Sequence, residues 1–552
     1  MELLDLDGVM EKGVFEIPSY QRGYAWQERQ LKDFWNDLEH VSKLENQFHY
    51  MHSLTLRELE NEFENSAFEI IDGQQRLATS LILLGLLAKT TQNKDPKYSL
   101  INLEPILSYK YYGLSEAFRA ITEEEKDLEA FKTSFYAKNL IEAYAFFKEK
   151  ISDTPIETLE KMFDAFIKKM LFSVVGLNDN RIDPFSSFET INNRGKDLST
   201  LELLKNRLHF VAHKICEGKK LEKLQQEIND TYTLIYHDLR QFEDDHLEGF
   251  LKHFVAYYYG EKGDFKKRLL EMEFNAHKRY TDNTNFNEEY EKIDDLLFYL
   301  SYSSKVWNFL HTLDEKSITL IVDDNKKLEI EITPKMRGLL DKMRHLNALN
   351  DNAFLPLLLS LLTIQRAEKS ANEQPYTTKE LEAYLELLES FGFLIYGYGV
   401  AGKNTTKWGK ALNYLLYEYE LHHSPETTLN FDGSIESIEH ILPQNPDQGY
   451  SAKEKNWAKN PNIVHALGNL LLMAKNANSS LSNKPFDEKR KQYLKGSYSE
   501  KEVAKNASFG VEQIKERSEK LLDFLIAHYR IAELVGESTI KAFKNASLKD
   551  IK

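Results

Sequence analysis

The chain of 552 residues is too long for one compact core, so its length predicts two to four domains. Hydrophobic residues make up 42% of it and aromatic residues 12%, which excludes a largely disordered protein although 29% of the residues are charged. The net charge of −16 excludes a general nucleic-acid coat protein, because non-specific DNA affinity comes mainly from neutralising phosphates.

The cysteine content and the apolar runs predict a soluble, cytoplasmic protein without a membrane partner. Cys216 is the single cysteine, so an intramolecular disulfide and a multi-cysteine zinc site are excluded. The first 13 residues carry acidic side chains where a secretory signal would carry basic ones. The longest apolar run, residues 77–88, is too short to span a bilayer.

In chain order, the N-terminal part predicts short strands among helices. Residues 14–26 predict an extended segment, because Pro18 disfavours a helix before it and bars a central strand. Hydrophobic spacing then predicts a helix from about 28 to 44, a strand over 68–71 and a buried helix over 77–89.

The rest of the chain is predicted to be mainly helical up to about residue 390, with β-like runs at 170–176 and 317–332. From about residue 425, Asn, Pro and Gly become more frequent and the apolar runs shorten. We therefore expect a mainly α protein with small β elements. We divide it into an N-terminal α+β domain (1–215), a mainly helical connecting region (216–424) and a C-terminal domain (425–552).

Three segments within the first 210 residues place an arginine among backbone-permissive residues: residues 17–22 (IPSYQR), 72–76 (DGQQR) and 188–195 (FETINNRG). In the second, Asp72 is predicted to cap a helix, with Gln75 completing a capping box. Free amides at such a helix start, with Arg76 one turn in, favour phosphate binding. Each arginine alone fits a surface ion pair, but together they predict a polyphosphate site.

The third segment feeds a helix whose start is predicted from a capping box of Ser199 and Glu202. A separate glycine-rich run, residues 397–404, nearly fits a P-loop. It ends in Asn404 where a P-loop needs a hydroxyl for magnesium, so we interpret it as a turn between helices.

The C-terminal part contains a pattern typical of nucleases. Residues 435–443 (IESIEHILP) predict a short strand that ends at Glu439 and His440 and is stopped by Pro443. Asn469 follows in the sequence LGNL, and Asn478 comes nine residues later. A histidine at a strand end, then a loop asparagine and a second asparagine on a helix, resembles the layout of a ββα-metal, or His-Me finger, nuclease.

Phosphodiester hydrolysis explains these residue types, since it needs a base and a divalent ion. His440 suits the base role. Asn478 suits a hard ion such as Mg²⁺ or Mn²⁺, with Glu439 as a second ligand. Asn469 is expected to pin the loop and orient His440, and Lys489 to hold the scissile phosphate.

These residues could also have purely structural or surface roles. A lone histidine before an apolar pair is usually structural, and His422, His423 and His465 are alternative ligands whose spacing completes no zinc set. Residues 451–500 contain nine lysines or arginines against four acids, which favours a local DNA contact but also fits a solvated lysine-rich face.

Both regions resemble one family. The first 210 residues resemble the N-terminal domain of the GmrSD-type modification-dependent (type IV) restriction systems, a ParB-like NTPase domain whose hallmark is a strand followed by D-G-Q-Q-R. Residues 425–500 resemble the HNH-type C-terminal domain of that family, through E-H-I-x-P, L-G-N-L and the later Asn478, Phe486 and Lys489. The resemblance implies a nucleoside triphosphate site (GTP, UTP, CTP or ATP) formed by these residues: Arg22, Asp72, Gly73, Gln74, Gln75, Arg76, Asn193 and Arg194.

Together with these motifs, the resemblance implies an NTP-regulated, metal-dependent endonuclease that cleaves modified double-stranded phage DNA in antiviral defence. A nucleotide-dependent DNA-binding regulator or toxin-like protein without cleavage is the alternative, and RNA cleavage by the same chemistry stays open. Tyr20, Gln21, Tyr24 and Trp26 are candidates for sensing the modification, with core packing as an equal interpretation. A homodimer would suit a restriction enzyme, but no heptad pattern predicts one.

Overall fold

The computed structural model describes the chain except residues 1, 60–65, 94, 111–112, 180–181, 193–197, 241, 243, 262, 276–277, 279–283, 315–316, 324–325, 350–352, 364–375, 393–410, 430–435, 447–448, 535, 549–550 and 552. Helices dominate and three small sheets accompany them, so the predicted fold class is confirmed. Residue contacts divide the chain into an N-terminal unit (1–312, 318–329 and 356–374) and a C-terminal unit (313–317, 330–355 and 375–552). The three-part division by sequence stays a prediction.

The N-terminal unit contains a six-stranded mixed sheet. Its strands are β1 (Glu2–Asp5), β2 (Val14–Ile17), β3 (His49–Leu59), β4 (Ala67–Asp72), β5 (Leu107–Tyr109) and β6 (Met170–Gly176). They lie in the order β1-β6-β3-β4-β2-β5. β1 pairs with β6 and β3 with β4 in antiparallel fashion, whereas β3–β6, β2–β4 and β2–β5 are parallel. β2 ends at Ile17, as Pro18 requires.

The helices of this unit are α1 (Leu6–Met10), α2 (Glu28–Ser42), α3 (Gln74–Thr90), α4 (Leu100–Leu103), α5 (Leu114–Thr122), α6 (Phe135–Ser152), α7 (Ile156–Lys169), α8 (Pro184–Asn192), α9 (Thr200–Ile215), α10 (Gly218–Asp238), α11 (Asp244–Tyr258), α12 (Phe265–Lys267) and α13 (Phe286–Thr312). The predicted helices near 28–44 and 77–89 correspond to α2 and α3. α3 is the central helix, because nearly every residue from Gln74 to Ala88 is buried. The capping box of Ser199 and Glu202 at the start of α9 is confirmed.

The predicted cap of α3 is wrong. Gly73, not Asp72, is the N-cap residue, and no side chain caps the helix start. Gly73 has a φ of +100°, and a Cβ there would lie 2.9 Å from Leu54 Cδ1, so only glycine fits this turn. Asp72 is still the last residue of β4, and Gln75 bonds to another loop instead of closing a box.

Residues 317–332, predicted to be β-like, contain the paired strands β7 (Ser317–Asp323) and β8 (Lys326–Glu331). The C-terminal unit contains α14 (Pro334–Leu349), α15 (Leu355–Leu362), of which only Leu355 belongs to this unit, α16 (Thr378–Gly392), α17 (Ala411–His423), β9 (Glu436–His440), α18 (Ala452–Ala458), α19 (Pro461–Val464), β10 (Leu470–Ala474), α20 (Lys475–Leu481), α21 (Phe486–Tyr493), α22 (Tyr498–Ala504), α23 (Val511–His528), α24 (Ile531–Leu534) and α25 (Glu537–Leu548). Among the residues that the structure describes, no helix is long and apolar enough to cross a membrane.

The C-terminal unit contains a small β-β-α arrangement. β9 and β10 pair in antiparallel fashion, with His440 opposite Leu470 and Glu436 opposite Ala474. α20 follows β10 directly and contacts both strands. The strand predicted to end at His440 is thus confirmed. Asn193, Arg194 and the glycine-rich run at 397–404 lie outside the described residues.

Candidate functional site

The N-terminal unit contains a cavity of about 570 Å³, a volume typical of small-ligand sites. It lies at the start of α3, beside β3, β4 and α8. Its lining residues are Gln21, Arg22, Trp26, His52, Ser53, Thr55, Ile71, Asp72, Gly73, Gln74, Gln75, Arg76, Val175, Phe188, Thr190 and Ile191. The structure therefore brings two of the three predicted segments together around one space, and the described part of the third, at 188–191, joins them.

The two glutamines of the DGQQR segment hold the loop that follows β2. Gln75 Oε1 accepts a hydrogen bond from the Ala25 N–H at 2.8 Å, and its Nε2 donates to Gly23 O at 2.9 Å. Gln74 Nε2 donates to Arg22 O at 3.0 Å. These bonds fix residues 22–25 against the start of α3, so both glutamines shape the cavity whether or not they also touch a ligand.

Two buried amide oxygens in the cavity wall have no hydrogen-bond partner in the described part of the chain. They are Gln21 Oε1 and Gln74 Oε1, and both side chains are less than a tenth exposed. Gln21 uses its Nε2 on the carbonyl oxygens of Ile70 and Ile71. Buried acceptors are nearly always satisfied in folded proteins, so these two oxygens mark acceptor positions on the cavity wall.

Arg76 is held against the cavity wall. Its Nη2 donates to Ser53 O at 2.6 Å and to Asp72 Oδ2 at 3.0 Å. Arg22 is 9% exposed and lines the same cavity. Two guanidinium groups therefore border a space where the helix α3 begins, an arrangement that favours anions.

The aromatic candidates for modification sensing separate into two groups. Tyr24 is fully buried and its hydroxyl lies 2.7 Å from Thr79 Oγ1, and burial raises its pKa well above the usual value. Tyr20 is also buried, with its ring 4.7 Å from that of Phe185. Burial favours core packing for these two tyrosines, whereas Gln21 and Trp26 line the cavity.

Sequence reasoning missed the β3 side of the cavity. His52, Ser53 and Thr55 line it, although the run HYMHSLTL carries no recognisable ligand pattern. β3 lies beside β4 only in the folded sheet, so no local signal could have indicated these residues.

The second candidate site is the end of β9. His440 is half-buried, and its Nε2 lies 3.2 Å from His465 Nδ1 and 3.2 Å from the amide nitrogen of the exposed Gln444. Burial lowers the pKa of His440 to about 4, and the charges of His465 and Lys489 act in the same direction. The imidazole is therefore neutral at pH 7, as a general base must be. His465, one of the predicted alternative ligands, is the histidine in this contact, and its part as a ligand stays a prediction.

Asn469 makes the loop contacts that were expected of it. Its side chain is fully buried, with Nδ2 donating to Leu442 O at 2.9 Å and to Val464 O at 2.8 Å, while Oδ1 accepts from Leu442 N at 2.8 Å. Its carbonyl oxygen accepts from Ile441 N at 2.9 Å. These bonds fix the chain immediately after His440. A part for Asn469 in catalysis stays a prediction.

Glu439 and Lys489 form a buried ion pair. Lys489 Nζ lies 2.6 Å from Glu439 Oε1 and donates to His440 O at 2.8 Å, and the Tyr493 hydroxyl donates to Glu439 Oε1 at 2.9 Å. Burial raises the pKa of Glu439 and lowers that of Lys489, although each charge opposes the shift of the other. Because Lys489 has no exposed surface, this geometry favours holding the β9 backbone over the predicted contact with a scissile phosphate.

Asn478 reaches β9 from α20. Its Nδ2 donates to Ser437 Oγ at 2.8 Å. Ser437 and Glu439 are two residues apart on a strand and therefore point to the same face. The two predicted metal ligands thus lie on one face of β9, and their carboxylate and amide oxygens fit a hard divalent cation. His440 follows Glu439 directly and therefore points to the opposite face, about 10 Å of strand from Ser437. The imidazole and the two predicted ligands thus lie on different faces of the strand.

The C-terminal unit also contains a cluster of possible metal ligands that the sequence did not predict. Glu389, Glu418 and His528 bring possible ligand atoms within 4.8 Å of one another. Lys342 Nζ already lies 2.6 Å from Glu418 Oε2, and His528 Nε2 lies 3.2 Å from the same oxygen. The lysine supplies the positive charge that a metal ion would bring, so we interpret the cluster as a structural ion network.

Comparison with known protein families gives two matches. Residues 4–209 match the family model described as the GmrSD restriction endonuclease N-terminal domain, and residues 401–524 match that of the GmrSD restriction endonucleases C-terminal domain. No curated protein matches the chain. The first match contains every described residue of the cavity, and the second contains His440, Asn469, Asn478 and Lys489. Together they cover more than half of the chain, which therefore belongs to the GmrSD family of restriction endonucleases.

Proposed function

We propose that this protein is a divalent-metal-dependent HNH endonuclease that cuts modified phage DNA, regulated by a nucleoside triphosphate bound in the N-terminal cavity. The observation that carries the cleavage proposal is the neutral, half-buried imidazole of His440 at the end of β9, next to a loop that Asn469 fixes. A neutral imidazole accepts a proton from water, and a fixed loop keeps it in place.

The proposed metal site uses Glu439 and Asn478. Lys489 and Tyr493 both contact Oε1 of Glu439, so ligation through Oε2 would leave the buried ion pair intact. Asn478 Nδ2 donates a hydrogen bond to Ser437, so Oδ1 would be the ligand atom. Because this site and the imidazole of His440 face opposite sides of the strand, the proposal requires the scissile phosphate to bind at the strand end, where it reaches both. A Mg²⁺ or Mn²⁺ bound there would stabilise negative charge on the phosphate and on the leaving oxygen.

The proposed nucleotide site is the cavity at the start of α3. Arg22 and Arg76 supply positive charge for a polyphosphate, and Trp26 offers an aromatic surface for a base. The unpartnered oxygens of Gln21 and Gln74 are suited to N–H groups of a ligand. As part of the proposal, nucleotide state changes access of DNA to His440 through the relative populations of two conformations.

The decisive experiment separates the two sites with one variant each. With phage DNA that carries modified bases, and with Mg²⁺, His440→Ala should lose about 10²- to 10⁴-fold in cleavage rate while triphosphate hydrolysis continues. Arg76→Ala should impair nucleotide turnover. The exposed His40 and Arg29 of α2 give matched controls, His40→Ala and Arg29→Ala, which should behave as the wild type. Normal cutting by His440→Ala would overturn the site assignment.

The substrate proposal needs its own test. We expect phage genomes with modified bases to be cut and unmodified genomes to be spared, in reactions with each triphosphate present or absent and with Mg²⁺ or EDTA. Binding without cutting under every condition would indicate the regulator alternative. Parallel RNA substrates decide whether the same chemistry also accepts RNA.

A further inference from the structure

β3 contains a bulge at the rim of the N-terminal cavity. Tyr50 pairs with Leu171 of β6 and Ser53 pairs with Ser173, so three steps along β3 match two along β6. The extra residue falls at Met51 or His52. Bulges of this kind bend a strand and re-aim one side chain, and they are frequent next to functional sites.

His52 adopts a strained backbone conformation in this bulge. Its φ is +65°, in the left-handed region. Histidine visits this region more often than most side chains do, but glycine enters it without steric cost. If His52 served only to shape the bulge, glycine would suit the position better. A strained residue other than glycine beside a cavity therefore suggests that its side chain has a function.

His52 lines the cavity and precedes the residue whose carbonyl oxygen anchors Arg76. His52 is exposed, with its ring 5.3 Å from that of Tyr50. The next residue, Ser53, accepts the hydrogen bond from Arg76 Nη2 through its carbonyl oxygen. The bulge therefore places His52 directly beside the residue that anchors the Arg76 guanidinium.

We propose that the bulge exists to present the His52 imidazole to the polyphosphate of the bound nucleotide, alongside Arg76. This inference rests on the nucleotide site proposed above and deepens it. An imidazole N–H is a hydrogen-bond donor to phosphate oxygens, and its aim is set by the strained backbone rather than by a flexible stem. His52 is thereby a determinant of how many phosphates the site requires.

Two substitutions separate the ring from the strain. His52→Gly removes both, whereas His52→Ala removes the ring and keeps the strain. In the full-length protein we expect both variants to bind the triphosphate about tenfold more weakly than the wild type. Only His52→Gly should also raise the midpoint of thermal unfolding, by roughly 2 °C. Affinity for the corresponding monophosphate should stay unchanged in both.

The matched control is Gln92→Gly. Gln92 is exposed, has a φ of +54° and does not line the cavity. Its replacement should raise the unfolding midpoint in the same way and leave nucleotide affinity unaltered. A gain in stability coupled to a loss of affinity is thus expected for His52→Gly alone.

Calorimetric titration with ATP, GTP, CTP and UTP in the presence of Mg²⁺ gives the readout. If the wild type binds none of the four, the proposed nucleotide site fails and the inference fails with it. If the wild type binds but both His52 variants bind the triphosphate equally well, the inference alone is overturned. Equal losses for monophosphate and triphosphate would overturn the assignment to the polyphosphate, and a lower midpoint for His52→Gly would overturn the strain argument.

Discussion

The polar side chains of the two candidate sites bond to different kinds of partner. Around the N-terminal cavity, Gln74 and Gln75 bond to backbone atoms of a neighbouring loop, which leaves an open space bordered by cations. At the end of β9, the buried side chains of Glu439 and Lys489 bond to each other. The first arrangement preserves room for a ligand, and the second fixes the position of one strand end.

The difference teaches that residue type alone does not reveal a role. A lysine and a glutamate beside His440 suggest phosphate and metal contacts. Because both side chains are buried, however, each charge needs the other as its partner. Glutamines beside arginines suggest ligand contacts, yet their amide groups also satisfy the buried backbone of a neighbouring loop. Measuring stability and function together for variants of each site tests whether a residue holds the fold or contacts a ligand.

The largest effect is expected from Lys489→Met. Removing the ammonium leaves the Glu439 carboxylate buried without a counter-ion, which should lower the free energy of unfolding by about 3–5 kcal/mol in urea titrations. The double variant Lys489→Met with Glu439→Gln should recover most of this loss. Lys491→Met, at an exposed position of the same helix α21, is the matched control and should change little. A small loss for Lys489→Met would mean that the ion pair is not the group that holds β9.

A smaller effect is expected from Gln75→Ala. It leaves the buried Gly23 O and Ala25 N without partners, which should cost about 2–3 kcal/mol of stability even without nucleotide. The control Gln226→Ala, at an exposed position of α10, should stay within about 0.5 kcal/mol of the wild type. Loss of nucleotide affinity at unchanged stability would instead assign Gln75 to the ligand.

Asn478→Ala tests the proposed metal site. We expect the Mg²⁺ concentration for half-maximal cleavage to rise about tenfold or more, because one oxygen ligand is lost. Asn476→Ala, at an exposed position of the same helix α20, provides the control for helix propensity. An unchanged Mg²⁺ requirement would remove Asn478 from the site.

The effect confined to acid conditions is a dependence of stability on pH. The pKa of His440 is about 4 in the folded protein and about 6.5 in an unfolded chain, so the unfolded state binds more protons between these values. The stabilising contribution of the neutral imidazole is complete above pH 6.5 and is lost as the pH falls towards 4. Wild type and His440→Gln, compared by urea unfolding from pH 4 to 8, should diverge below pH 6.5. Parallel curves would contradict the shift.

Much of the fold could be predicted because its signals are local. The ends of α2 and β9, the C-terminal end of α3 and the cap of α9 follow from hydrophobic spacing, Pro443 and a capping box within three residues. The start of α3 lies three residues before its predicted position. The cap of α3 was mispredicted for a tertiary reason, since Gly73 must pass close to Leu54 of β3. The tight turn between β4 and α3 requires glycine at the N-cap position, so no capping side chain can occupy it.

By itself, the sequence determined the helix and strand pattern, the family and the position of His440 at a strand end. Only the tertiary structure decided which partner each polar side chain takes. Gln75 bonds to Ala25 and Lys489 to Glu439, each 50 residues away in the chain. The strain at His52 likewise depends on the register between β3 and β6. Contacts over such separations are set by the packing of whole elements, which local propensity does not encode.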